Sequence, residues 1–132
     1  MAKDNGRADT GKLNRKAAEA VIRKVELQPG QTIIFSRGPV LLLFRGDLKA
    51  AEATDIAVQV ADTWADAGQT IRIQFMRLPL LPTECLLYTT YLNARYLLTI
   101  VDSADASFLR VKRLAEALQE GFRTVGLVPK AV

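Results

Sequence analysis

The chain predicts an α/β protein of the α+β kind: a five-stranded antiparallel sheet with helices on both faces, in the order α-ββ-α-βββ-α. Three observations carry this. Two pairs of strand candidates are joined by connections that suit only hairpins, Arg37-Gly38-Pro39 and Asn93-Ala94. Residues 40–44, 85–88 and 96–101 are continuous apolar runs, the pattern of strands covered on both sides. Three amphipathic stretches read as helices, and three helices over two faces must divide two and one.

Residues 1–12 contain glycines and several charges, bury nothing and are expected to form a disordered tail. Residues 13–27 read as the first helix, because Leu13, Ala17, Val21 and Val25 recur at four-residue steps. Pro29-Gly30 stops it. Strands are expected at 32–36 and 40–44. Asp47 is the expected N-cap of the long second helix, 48–67; with Ala50 three positions on, no full capping box forms there. Ala53, Ile56, Ala57, Val60, Ala61 and Trp64 make its apolar side. Glu52, Asp55, Gln59, Asp62 and Asp66 make an acidic stripe opposite. Gly68 fits a C-terminal stop.

Residues 69–78 then alternate. Ile71, Ile73 and Phe75 fall on one side and Thr70, Arg72, Gln74 and Met76 on the other. This pattern predicts a rim strand with Ile71, Ile73 and Phe75 buried, so that Ile73→Asp or Phe75→Asp should destabilise the fold. The side with Arg72, Gln74 and Met76 should lie under or beside the acidic helix. The strand has no internal proline and two charges, so its open edge is a hazard unless paired. Two-fold pairing with a second copy satisfies both edges. The candidate interface is Ile71, Arg72, Ile73, Gln74, Phe75 and Met76, and Gln74→Pro should weaken it. A two-proline loop at 79–84, strands at 85–92 and 95–101 and a last helix at 106–125 complete one domain, 13–125, with a tail at 126–132. Arg110, Lys112 and Arg113 stand near the start of that helix, where its dipole disfavours cations. Solvated charges are the favoured account of them, ahead of a bound anion or an acidic partner.

Composition excludes more chemistry than it supports. The 132 residues carry a formal charge of +4, too modest to argue for nucleic acid. There is no histidine, which removes the commonest general base and metal ligand. The single cysteine, Cys85, has no base to activate it and reads as a small apolar residue at a strand start. No phosphate-loop or dinucleotide motif occurs. The acidic stripe lacks the loop and backbone oxygens of a calcium site. Tyr88, Tyr91 and Tyr96 read as packing residues rather than base-stacking ones, and Trp64 as core. The first twelve residues lack the apolar centre of a signal peptide, and no apolar run reaches the ~20 residues of a membrane helix. No catalytic residue, cofactor site or metal site is therefore assigned, no nucleic acid and no membrane insertion is expected, and the location expected is the cytoplasm.

The series Ile33-Ile34-Phe35, Gly38, residues 40–44 and Arg45-Gly46-Asp47, leading into Leu48-Lys49-Ala50-Ala51-Glu52-Ala53, resembles the Roadblock/dynein light chain family. Residues 96–102 followed by 106–118 are similar to that family's last strand and helix, and the likeness spans 13–121. Profilin-like and longin folds are relatives of the same layout. The two-proline loop at 79–82 is longer than the family's short turn, and Gly38-Pro39 lacks its usual acidic residue. The resemblance implies a dimer in which third strands pair edge to edge and long helices lie side by side. It also implies a non-catalytic adaptor or regulator of a small Ras-like GTPase, with Glu52, Asp55, Gln59 and Asp62 as the partner-binding stripe. The alternative is a structural scaffold or self-assembling component without a GTPase.

Overall fold

The computed structural model describes residues 15–64, 71–77, 84–93 and 96–126, apart from the side chains of Arg72 and Asn93. The expected tail at 1–12, the loop at 79–82 and the last six residues lie outside these. The elements are α1 (Arg15–Lys24), β1 (Thr32–Arg37), β2 (Val40–Gly46), α2 (Ala50–Thr63), β3 (Ile71–Arg77), β4 (Glu84–Asn93), β5 (Tyr96–Ser103) and α3 (Phe108–Thr124). The strands form one antiparallel sheet in the order β2-β1-β5-β4-β3. The expected element order and fold class hold.

Parity along the strands sorts the core into two layers. Ile33, Phe35, Leu86, Tyr88, Leu98 and Ile100 point to the face covered by α1 and α3. Ile34, Leu87, Leu97 and Val101 point to the face covered by α2, where they meet Ala53, Ile56, Ala57 and Val60. The helices divide two and one, as three helices on two faces require. β5, at the centre, is buried from Tyr96 to Asp102. On the two-helix side, the ring of Phe35 stacks against Tyr96 and Phe122, with centroids 5.5 and 5.3 Å apart.

Close approach fixes two glycines. A side chain at Gly46 (φ 140°) would run into the carbonyl oxygen of Gln31 and the backbone of Thr32, so the chain leaves β2 here only without one. At Gly121 a methyl group would meet Val21 Cγ1 at 2.7 Å, which lets α1 and α3 pack together.

Polar ties hold the layers. Arg45 donates to the carbonyls of Ile22 and Val25, both at 2.7 Å, and so supplies partners for the orphan end of α1. Arg15 reaches the carbonyl oxygen of Leu42 at 2.9 Å. The start of α2 corrects the sequence expectation. Lys49, not Asp47, is the N-cap, and Glu52 at the third following position accepts from the backbone N–H of Lys49 at 2.8 Å. Asp47 instead accepts from the backbone N–H of Gly30 at 2.8 Å, tying the α1–β1 turn to the end of the hairpin.

Candidate protein-interaction surfaces

β3 is the last strand of the sheet. It pairs with β4 from Ile71↔Thr90 to Arg77↔Glu84, and among the described residues no strand lies along its other edge. Its faces are the reverse of the expectation. Ile71, Ile73 and Phe75 are 48%, 44% and 56% exposed, not buried. They lie on the α1/α3 side, since Ile73 pairs with Tyr88 and Phe75 with Leu86, but α3 packs chiefly over β4 and β5. The better-covered side is the polar one. Gln74 donates to Thr63 Oγ1 of α2 at 3.3 Å, and Met76 packs into the α2 layer with Cys85 and Trp64. The position of Gln74 and Met76 beside the acidic helix is as expected.

The acidic stripe lies on α2 with three carboxylates and no cation among its residues. Asp62 is exposed; Glu52, Asp55 and Gln59 are half-buried. Glu52 is committed to its own helix start. Beside the stripe, Ala51, Thr54 and Val58 present a small, exposed surface, Val58 being the one large apolar residue in it. The sequence brings edge strand and helix onto adjoining surfaces, joined through Gln74 and Thr63.

The charges near the start of α3 are accounted for differently. Arg110 is a partner of Asp102, whose side chain is wholly buried. Its Nε and Nη2 groups donate to the two carboxylate oxygens at 2.8 and 2.6 Å, Gln31 Nε2 adds a third bond at 3.0 Å, and the backbone N–H of Ser103 a fourth at 2.8 Å. Burial pushes the Asp102 carboxyl up. The bonds from Arg110, Gln31 and Ser103, with the charge of Arg110, outweigh it and hold the group below its ordinary value. Arg110 also reaches the carbonyl oxygen of Pro29, so the cluster pins the α1–β1 turn to α3. The expectation of a solvated Arg110 is corrected. Asp102 shares parity with Leu98 and Ile100, which was the available signal; Gln31 had none. An open cleft of about 390 Å³ beside this cluster is lined by Val25, Gln28, Gln31, Arg110 and Arg113, but its buried polar groups are occupied by one another.

Tyr88 and Tyr96 are core residues, while Tyr91 stacks on half-buried Trp64 with centroids 6.5 Å apart. Cys85 is half-buried. Burial, with a smaller contribution from Glu52, raises its thiol pKa, which opposes nucleophilic use. Among the described residues no group of three acidic, cysteine or histidine side chains stands ready for a metal ion. No described helix is long and apolar enough to cross a membrane.

This layout has relatives of known structure. A Roadblock/LC7 domain from Streptomyces avermitilis superposes with a TM-score of 0.57 at 12% identity, covering 84% of this chain and 95% of that one. The chain has the Roadblock/LC7 fold. The gliding protein MglB from Thermus thermophilus also superposes with a TM-score of 0.57, at 18% identity, over 84% of this chain and 89% of that one. No family model matches the sequence, and no curated protein matches it. In the Roadblock/LC7 fold of this chain, Ile71–Arg77 is one of the two edge strands, β2 being the other, and Ala50–Thr63 is the one described helix on its face of the sheet.

Proposed function

We propose that the protein is a cytoplasmic, homodimeric, non-catalytic adaptor that binds a small Ras-like GTPase. The observation that carries this reading is the position of β3 at the rim, where no described strand lies on its outer side, with Ile71, Ile73 and Phe75 half exposed beside it. An edge strand of this length with three large apolar side chains is a template for another chain. A second copy arriving by a two-fold axis pairs the two β3 edges through residues Ile71 to Met76 and sets α2 against α2 at Ala51, Thr54 and Val58. The acidic stripes of the two copies, Glu52, Asp55, Gln59 and Asp62, then form one platform for the GTPase. Any change in nucleotide hydrolysis comes from moving the GTPase switch loops.

The test is titration of the protein with candidate small GTPases in GDP and GTP-analogue states. Binding in at least one state, lost in Asp55→Lys/Asp62→Lys with the dimer intact, supports the platform. Unchanged affinity in the variant removes the stripe. A dimer that binds no GTPase in either state leaves the structural scaffold without a GTPase.

A further inference from the structure

The sheet has a second edge, and it is built differently from the first. β3 runs beside β4 in unbroken register from Ile71 to Arg77. β2, at the other rim, does not keep step with β1. Leu43 stands opposite Phe35 and Leu41 opposite Ser36, so Leu42 is left over as a bulge. The side chains record the same interruption. Leu42 and Leu43, neighbours in the chain, both pack into the α1/α3 layer, whereas Leu41 and Phe44 pack into the α2 layer. In a regular strand such neighbours point to opposite faces.

The bulge is held from outside the strand. Arg15, the first residue of α1, is exposed and donates from Nη2 to the Leu42 carbonyl oxygen at 2.9 Å. At the other end of α1, Arg45 of β2 donates to the carbonyls of Ile22 and Val25. Two arginines therefore strap α1 alongside β2. The strand needs such cover. Val40-Leu41-Leu42-Leu43-Phe44 is an unbroken apolar run without proline or charge, a composition prone to pair with a copy of itself. A bulge, an edge cation and a neighbouring helix are each a way of blunting an edge, and β2 has all three.

We infer that the bulge at Leu42 and the Arg15 strap close the β2 edge to strand pairing, so that growth of the sheet stops at two copies. The inference rests on the β3 seam proposed above. Two chains joined there form one continuous sheet with a β2 strand at each end. If those ends were open, each dimer would pair with two others, and a filament would form because such an arrangement does not close on itself. Arg15 thus decides between a discrete adaptor and a polymer.

The experiment compares the full chain with Arg15→Met and with a deletion of Leu42. Methionine keeps most of the reach of the side chain and removes the donor. The deletion removes the bulge and the acceptor of Arg15 together, and restores alternation through Leu41, Leu43 and Phe44. The two act through different atoms, so either one decides the matter if the other does not fold. Light scattering over a concentration series reads mass, circular dichroism reads folding, and hydrogen exchange locates protection. The unsubstituted chain should hold one dimer mass throughout. The variants should stay folded and climb to roughly twice the dimer mass and beyond, with new protection in residues 40–44. A dimer that neither variant enlarges overturns the closed edge and leaves the β3 seam in place. Unsubstituted dimers that already grow with concentration, or variants that grow without protection at 40–44, overturn it as well. A monomer that associates through 40–44 only when Arg15 or Leu42 is changed keeps the closed edge and removes the seam.

Discussion

Gln74 of the edge strand donates to Thr63 Oγ1 at the end of α2 across 3.3 Å, so the two elements proposed to meet a second copy are tied to each other. Thr63 Oγ1 also lies 3.2 Å from the carbonyls of Gln59 and Val60, which places the hydroxyl in a local network on the helix. Thr63→Val keeps the shape and removes these bonds. It should cost about 1 kcal/mol in urea unfolding and loosen strand against helix.

Exposure decides the next outcome. Phe75→Asp places a charge on a side chain 56% exposed, so the folded chain should survive it, with an unchanged far-ultraviolet circular dichroism spectrum. Ile56→Ala, in the α2 layer at 0% exposure, should instead cost roughly 2–5 kcal/mol. Chemical denaturation of the two variants side by side separates the open stripe from the core.

The Asp102 cluster predicts an acid-sensitive tie. The carboxyl titrates below its ordinary value of 3.8 in the folded protein. The unfolded chain therefore binds the proton first, and the contribution of this carboxylate is fully present above about pH 5. It is lost as pH falls through 3.8 and on through the folded value. Asp102→Asn should flatten this part of the stability–pH curve. Arg110→Met leaves the buried carboxylate short of its charge partner, and denaturation at pH 7 should show a loss of about 3 kcal/mol.

Gly46→Ala tests the tight exit from β2. The added methyl would meet the backbone oxygen of Gln31 and Cα of Thr32, neither of which is a flexible side-chain end. A loss of at least about 2 kcal/mol in thermal or urea unfolding is expected.

The sheet and its layers were legible because periodicity records which side chains are buried. Continuous apolar runs became the central strands, and the four-residue steps of Val21 and Val25 became the inner side of α1 and the start of the turn after it. β3 misled because alternation reports that one side is apolar, not that it is covered by the same chain. Ile71, Ile73 and Phe75 have the pattern of core residues and stand half exposed, since α3 packs chiefly over β4 and β5. Asp47 was a good N-cap residue in isolation, but Gly30 claimed its carboxylate and the cap fell two residues later, at Lys49, with the helix beginning at Ala50. Arg110 looked solvated because its partner Asp102 sits in the preceding strand, and contacts between elements leave no periodic trace. The positions of Glu52, Asp55, Gln59 and Asp62 on α2 followed from three- and four-residue spacing alone.

The pairing of β3 with its copy is tested most directly by sedimentation equilibrium of the full chain beside Ile73→Pro and Gln74→Pro. Neighbouring residues of a strand direct their N–H groups to opposite sides, so one of these prolines removes a donor from the open edge and the other from the β4 side. The account predicts twice the 14.5 kDa chain mass for the unsubstituted protein and a folded species of single mass for the proline at the open edge. An unsubstituted chain that sediments as a monomer, or a dimer that both prolines leave intact, would contradict it.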